Sequence, residues 1–92
     1  MDKKLLLIAN PKAGRGKHSA ALFDAVWTFS KAGYLVSVRK PELYGDITRI
    51  AAEFGDEYDL IVCCGGDGTL SSTISGVMQL PSPRPPIGYL PG

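Results

Sequence analysis

Two uninterrupted apolar runs, each followed by a glycine-containing segment and then by a helical pattern, constrain the fold of this chain most strongly. The first run occupies residues 5–9 and the second occupies residues 60–64. Strands that are buried on both faces, as in a parallel sheet, show continuous rather than alternating apolarity. Both runs are therefore predicted to be internal strands of a parallel sheet.

The segments between the strands repeat apolar residues at helical spacing, which predicts three amphipathic helices. Their predicted buried faces are Leu22, Ala25, Val26 and Phe29, then Ile47, Ile50, Ala51 and Phe54, and finally Leu70, Ile74, Val77 and Met78. Gly33 and Gly55 are predicted to end the first two helices, because glycine suits the position after a helix. Asp46 is predicted to cap the start of the second helix.

Two further short strands, at residues 34–38 and 87–90, complete a βαβαβαβ order. This order predicts one α/β domain with three layers, in which a parallel sheet lies between helices on both faces. The 92 residues end directly after the fourth strand, without the helix that should follow it. We therefore expect the chain to be a truncated piece of a longer protein.

Charge and apolar-run length exclude several classes of function. Ten Lys and Arg residues are balanced by nine Asp and Glu residues, so no basic field favours a nucleic-acid partner. The apolar run at residues 5–9 is too short for a signal peptide or a membrane span, which predicts a cytoplasmic protein. Cys63 and Cys64 point to opposite faces of one strand, so we expect buried free thiols rather than a disulfide.

Two glycine-bearing loops, at residues 10–17 and 65–69, each join a strand to a helix. In open α/β sheets the ligand lies beyond the carboxyl ends of the strands, where free backbone N–H groups can bind an anion. The first loop is not a Walker A motif, because Pro11 and His18 stand where that motif needs Gly and Ser or Thr. Neither loop has the third glycine of the dinucleotide-binding fingerprint, since Ser19 and Ser71 occupy that position.

The second loop, Gly-Gly-Asp-Gly-Thr, has two interpretations that spacing alone leaves open. Glycines let a phosphate approach the main chain, and Thr69 can direct a hydroxyl to the same anion. Asp67 would repel a phosphate unless a cation compensates, which a site containing Mg²⁺ would achieve. In the alternative, Asp67 merely caps the third helix and the glycines form a tight turn.

Four motifs together resemble the diacylglycerol kinase catalytic-domain family. They are Asn10-Pro11 followed by Gly14, Gly45-Asp46, the Gly-Gly-Asp-Gly-Thr-Leu run at 65–70, and Ile-Gly-Tyr-Leu-Pro-Gly at 87–92. The family includes bacterial lipid kinases and is similar to sphingosine and ceramide kinases. NAD kinases and phosphofructokinases also carry a Gly-Gly-Asp-Gly loop, but the Asn-Pro-x-x-Gly start favours the lipid-kinase branch.

The resemblance implies ATP-dependent, Mg²⁺-dependent phosphorylation of a lipid hydroxyl, of diacylglycerol or a related lipid. It implies ATP contacts from Asn10, Pro11, Lys12, Ala13 and Gly14, and from Gly65, Gly66, Asp67, Gly68 and Thr69, with Asp67 as a catalytic residue. Residues 1–92 would form the nucleotide-binding part of the catalytic domain, and a β-rich, lipid-facing domain would be missing from the chain. The general base belongs to that missing part, so we expect the chain alone to be inactive.

Three positions depart from the pattern of the family. Ser71 and Ser72 replace the usual Asn-Glu, which removes a carboxylate near the nucleotide, and Pro41 replaces a frequent Thr. Ser71 and Ser72 keep open the alternative of a nucleotide-binding regulator without turnover. A relative of NAD kinase also stays open, because only sequence beyond residue 92 would separate the two kinase families. The resemblance is also compatible with peripheral membrane contact and with an oligomer of the full protein.

Overall fold

A computed structural model of the chain describes residues 3–10, 18–43 and 45–91. The four strands are β1 (Lys3–Ala9), β2 (Tyr34–Arg39), β3 (Leu60–Gly65) and β4 (Ile87–Pro91). The three α-helices are α1 (His18–Lys31), α2 (Asp46–Phe54) and α3 (Asp67–Val77), and a short 3₁₀ helix (Gly55–Glu57) follows α2. The predicted element order is confirmed, with bounds that differ by one or two residues.

The strands form one parallel sheet in the order β2-β1-β3-β4. The central strand β1 pairs on both sides, so that Leu6 lies opposite Ser37 of β2 and Ile61 of β3. Residues 5–8 of β1 have no exposed surface. The continuous apolar run is thus explained, because β1 is flanked by strands at both edges and covered on both faces.

Helices cover the two faces of the sheet and produce the predicted three-layer α/β architecture. On one face, Leu6, Ile8 and Ile61 pack against residues of α2 and α3, including Ile50, Ala51 and Val77. On the other face, Leu5, Leu7 and Val62 pack against the α1 residues Leu22, Val26 and Phe29. The predicted inner faces of α1 and α2 are therefore confirmed.

The chain leaves the carboxyl ends of β1 and β3 toward opposite faces of the sheet. After β1 it enters α1 on one face, and after β3 it enters α3 on the other. Because β1 and β3 are neighbours, a crevice opens between their ends, which is the topological switch point where α/β folds bind ligands.

The predicted inner face of α3 is confirmed for Val77 but wrong for Ile74 and Met78. Its buried residues are Thr69, Thr73, Gly76 and Val77, whereas Ile74 and Met78 are 43% and 58% exposed. The small and hydroxyl-bearing face lies inward because α3 packs closely against α2, where the Thr48 hydroxyl donates to the Ser72 carbonyl at 2.9 Å. Thr73 is tolerated in the core since its hydroxyl donates to the Thr69 carbonyl at 2.8 Å.

Gly76 is the point of closest approach between α2 and α3. A Cβ at this position would collide with the Thr48 carbonyl oxygen and would lie 2.6 Å from the Ala51 Cβ. We expect Gly76→Ala to lower the free energy of unfolding by about 1–3 kcal/mol, as overpacking does. At a helix position without this crowding, the same replacement of glycine by alanine would raise the free energy of unfolding by about 1 kcal/mol.

Denaturant titration of the natural protein at its full length would measure this effect. Ser75→Ala, an exposed change at the neighbouring position of α3, is the matched control and should leave stability nearly unchanged. A Gly76→Ala variant as stable as the wild type would contradict the close packing of α2 and α3.

Cys63 and Cys64 are buried free thiols, as predicted. Burial raises the pKa of both thiols, so both stay protonated at neutral pH. Separately, none of the helices in the described ranges combines the length and the apolarity that crossing a membrane requires.

Candidate functional site

Asn10, which directly follows β1, is hydrogen-bonded to the end of β3 and to the first turn of α3. Its backbone N–H donates to the Cys64 carbonyl at 3.1 Å, and its side-chain amide donates to the Thr69 hydroxyl at 3.2 Å. Two sequence-predicted site residues, Asn10 and Thr69, are thus in direct contact across the switch point. Four others, Pro11, Lys12, Ala13 and Gly14, lie outside the described residues.

Gly65 is required by the local fold. Its φ of 155° lies in the region that favours glycine, and a Cβ there would lie 2.5 Å from the Thr69 hydroxyl oxygen. The absence of a side chain at Gly65 therefore allows Thr69 to turn inward, where it is 4% exposed and bonded to Asn10. Glycine at position 65 is thus required by contacts within the loop itself.

Gly66 and Gly68 differ from Gly65 both in backbone conformation and in the space around the position that a Cβ would occupy. Gly66 has a φ of −92°, which any residue adopts, and Gly68 lies in the first turn of α3 without a positive φ. A Cβ at either position would meet no atom within 4 Å. Neither the backbone conformation nor packing within the described residues requires glycine here, and both positions border space that no described residue fills.

Asp67 does not cap α3. The N-cap position is occupied by Gly66, and Asp67 is the first helical residue, with an exposed side chain. The N–H groups of Thr69 and Leu70 turn back to the Gly66 carbonyl, at 3.0 and 3.2 Å. The N–H groups of Asp67 and Gly68 belong to the first turn, which has no earlier helical carbonyls to bind.

A cleft of about 560 Å³ lies along the carboxyl edge of the sheet, within the usual size range for ligand sites. Its described lining residues come from the segments that follow β1, β2 and β3, respectively: Asn10; Pro41, Glu42, Leu43, Gly45, Ile47 and Thr48; and Gly66, Gly68, Thr69 and Ser72. The lining combines the apolar side chains of Pro41, Leu43 and Ile47 with polar side chains, among them those of Asn10, Thr69 and Ser72. These lining residues include one carboxylate, on Glu42, and no Lys or Arg.

The segment between β2 and α2 is held in place by Asp46. Asp46 was predicted to cap α2, but this prediction was wrong, because Gly45 occupies the cap position with a φ of 91°. The Asp46 carboxylate instead accepts the backbone N–H groups of Leu43 at 2.9 Å and Glu42 at 3.0 Å. These bonds lower the pKa of Asp46, with Leu43 contributing more than Glu42. The cleft wall is thereby tied to the first turn of α2.

Tyr89 of β4 is a site residue that sequence reasoning did not single out. Its hydroxyl donates to the Gly65 carbonyl at 3.2 Å, and the Asp67 carboxylate interacts with the same phenol. Partial burial raises the pKa of Tyr89, and the negative charge of Asp67 raises it further. The available signal was its place at the carboxyl end of a fourth parallel strand, on the same sheet edge as both loops.

Comparison with known proteins identifies the family. A profile of the diacylglycerol kinase catalytic domain matches residues 4–92. The chain belongs to this family. It is 38% identical over 92 residues to a diacylglycerol kinase of Staphylococcus epidermidis and 36% identical to one of Staphylococcus aureus, covering 99% of this chain and 29% of each relative.

The fold agrees with that of solved family members. A crystal structure of a diacylglycerol kinase from Bacillus anthracis superposes with a TM-score of 0.85 at 35% identity, covering 98% of this chain and 33% of that one. The chain thus spans less than a third of the length of the curated relatives it matches. Two of the positions at which the sequence departs from the pattern of the family lie at the cleft. Pro41 is buried and lines it, and Ser72 also belongs to its lining.

Proposed function

We propose that the natural protein transfers the terminal phosphoryl group of ATP to a lipid hydroxyl, of diacylglycerol or a related lipid. In this proposal the cleft between Asn10, the β2–α2 segment and the start of α3 binds ATP. Membership of the diacylglycerol kinase catalytic-domain family and the names of the relatives support the reaction class. The volume of the cleft, about 560 Å³, is suitable for a nucleotide.

The two glycines at positions 66 and 68 carry this proposal. Neither has a backbone conformation that demands glycine, and a Cβ at either would enter space free of the described residues. An external group that approaches the main chain closely explains both glycines. A phosphate fits, because the first turn of α3 directs backbone N–H groups and the positive end of the helix dipole toward that space.

The charge balance of the cleft favours a metal-bound nucleotide. The described lining residues include no cationic side chain to neutralise the phosphates, although Lys12 belongs to the predicted contacts of the first loop. Mg²⁺ sites commonly combine one or two carboxylates with substrate phosphates and water. Asp67, whose carboxylate is exposed beside the same loop, fits such a role. When bound, Mg²⁺ would supply positive charge to the phosphates.

Each residue of the site has a distinct task in this proposal. Gly66 and Gly68 admit the phosphates, and the amides of the first turn of α3 bind them. Thr69 and Asn10 hold the two loops together, and Asp67 acts at the phosphoryl group as the catalytic carboxylate. The lipid would approach from a membrane surface, with which the full protein would make peripheral contact.

Radiolabelled phosphate transfer from ATP to diacylglycerol in mixed micelles tests this function directly. The natural protein at its full length should phosphorylate diacylglycerol, and omission of Mg²⁺ should abolish the product. A protein that binds ATP–Mg²⁺ but yields no lipid phosphate with diacylglycerol or related lipids would instead be the regulator without turnover. Absence of both binding and transfer would refute the assignment of the cleft.

A further inference from the structure

We propose that Asp46 is a positioning residue for nucleotide binding, whose carboxylate holds the backbone of the β2–α2 segment where that segment forms a wall of the cleft. This inference rests on the proposed kinase function. It deepens that proposal by assigning a role to a residue that is not among the described lining residues of the cleft. Three features carry it: the hydrogen bonds of the carboxylate, the exposure of the segment that it holds, and the place of that segment in the cleft.

One carboxylate oxygen of Asp46 accepts two backbone hydrogen bonds. Its Oδ2 lies 3.0 Å from the Glu42 nitrogen and 2.9 Å from the Leu43 nitrogen. In return, the Asp46 N–H donates to the Leu43 carbonyl at 3.0 Å. Gly45 has a φ of 91°, which favours glycine, and its carbonyl accepts the N–H of Arg49 in the first turn of α2 at 3.1 Å. The segment is thereby closed on itself and joined to the helix.

The side chains of the segment do not supply this anchorage themselves. Pro41 at its start is buried, but Leu43 is 75% exposed and Glu42 is exposed as well. The Asp46 side chain, in contrast, is only 16% exposed. Its hydrogen bonds from Leu43 and Glu42 lower its pKa, so the acceptor is ionised at neutral pH, and hydrogen bonds to a charged group are the stronger ones. Beyond Pro41, the backbone bonds to Asp46 therefore fix the segment.

The segment that Asp46 fixes borders the proposed ATP site. Glu42, Leu43 and Gly45 all line the cleft. Because the N–H groups of Glu42 and Leu43 are donated to Asp46, these two residues offer a ligand their side chains rather than main-chain donors. A wall that is released from Asp46 would adopt the binding-competent position for only part of the time. The apparent Kd for the nucleotide rises in proportion to that loss of population.

Asp46→Ala removes both backbone hydrogen bonds and should still fold, because alanine is the best helix former. In the natural protein at its full length, we expect Kd for ATP–Mg²⁺ to rise about tenfold, as it does when about a tenth of the molecules keep a competent wall. The kcat at saturating ATP should change less than about twofold, because bound nucleotide restores the wall and the groups at the phosphoryl group are untouched. Isothermal titration calorimetry and steady-state kinetics measure the two quantities, and a folded Asp46→Ala protein with the wild-type Kd would overturn the inference.

Asp46→Asn and Arg49→Met separate the shared acceptor from the charge. Both N–H groups converge on one oxygen, so the amide oxygen of Asn can accept both, and Kd should stay within about threefold of the wild type. Arg49→Met removes the ion pair with Asp46, whose atoms are 3.5 Å apart, but keeps both backbone bonds, and it should bind ATP–Mg²⁺ like the wild type. A loss in either variant as large as that in Asp46→Ala would overturn the inference, since the charge would then be responsible.

Amide hydrogen exchange reports on the wall without nucleotide. Exchange of the Glu42 and Leu43 amides should be several-fold faster in Asp46→Ala than in the wild type, and close to the wild type in Asp46→Asn. Unchanged exchange in Asp46→Ala would also overturn the inference. A wild-type protein that does not bind ATP–Mg²⁺ would refute the proposed function together with this role, whereas tight binding by both the wild type and Asp46→Ala would refute the role of Asp46 alone.

Discussion

Asp67→Asn in the natural protein at its full length is expected to lower kcat for lipid phosphorylation by about 100- to 1,000-fold, the usual effect of removing a group that stabilises transition-state charge. The physical reason is the loss of the carboxylate that, in the proposed function, acts on the phosphoryl group or its Mg²⁺. The free energy of unfolding should fall by less than about 1 kcal/mol, because an exposed charge at a helix start contributes only that much.

This combination separates catalysis from folding. Asn and Asp cap helices about equally well, and Asp67 in any case follows the Gly66 cap. Steady-state kinetics and thermal melting of one preparation measure both effects. Asp56→Asn, an equally exposed carboxylate in the 3₁₀ helix before β3, is the matched control and should retain the wild-type kcat. A normal kcat for Asp67→Asn would remove Asp67 from the chemistry.

Gly68→Val is expected to abolish tight ATP–Mg²⁺ binding without unfolding the protein. A side chain here would occupy the space over the first turn of α3 and displace the phosphate from its amides. Loss of two charge-assisted hydrogen bonds, about 3 kcal/mol in total, raises Kd about a hundredfold. Stability should be nearly unchanged, because a Cβ at Gly68 meets no described atom within 4 Å.

Isothermal titration calorimetry with ATP–Mg²⁺ provides the measurement. Ser75→Val, an exposed position two turns further along α3, introduces the same side chain away from the cleft and should bind ATP like the wild type. A folded Gly68→Val protein with wild-type affinity would mean that the open space over Gly68 does not hold the phosphates.

The sheet was predictable from the sequence because burial on both faces leaves an uninterrupted apolar run. The run at residues 5–9 marks the central strand, and the run at 60–64 marks its neighbour. The amphipathic patterns of α1 and α2 were equally informative. The βαβαβαβ order then fixed which loops lie at the carboxyl edge, and the contact between Asn10 and Thr69 joins two of them.

The inner face of α3 could not be predicted by apolar spacing. Ile74 and Met78 have the right spacing but lie outside, because α2 approaches too closely for large side chains at Gly76. Thr69 and Thr73 lie inside because their hydroxyls find internal partners, which a hydropathy pattern does not reveal. The prediction that Asp46 caps α2 was wrong for a related reason. Its carboxylate accepts hydrogen bonds from the preceding segment instead of from the first turn of its own helix.

The sequence also could not distinguish the three glycines of the second loop. All three looked suited to phosphate approach, yet only Gly65 has a positive φ and a neighbour that a Cβ would strike. The described residues do not require glycine at positions 66 and 68. Gly65 is therefore explained by the structure of the loop, whereas Gly66 and Gly68 are explained by the space they leave for a ligand in the proposed function. Tyr89 escaped notice because its hydrogen-bond partner, Gly65, is 24 positions away in the chain.

The strand order has a consequence for how the protein acquires its site. The central strand β1 leaves the ribosome first, but its neighbour β3 follows only after both β2 and two helices have been synthesised. Pairs such as Leu6 with Ile61 are separated by more than fifty residues, and contacts of such high sequence separation form late and slowly. Since Asn10 and Thr69 meet only when β1 and β3 pair, the cleft cannot form before the chain has been synthesised through the start of α3. A nascent chain that stops short of β3 therefore lacks this cleft.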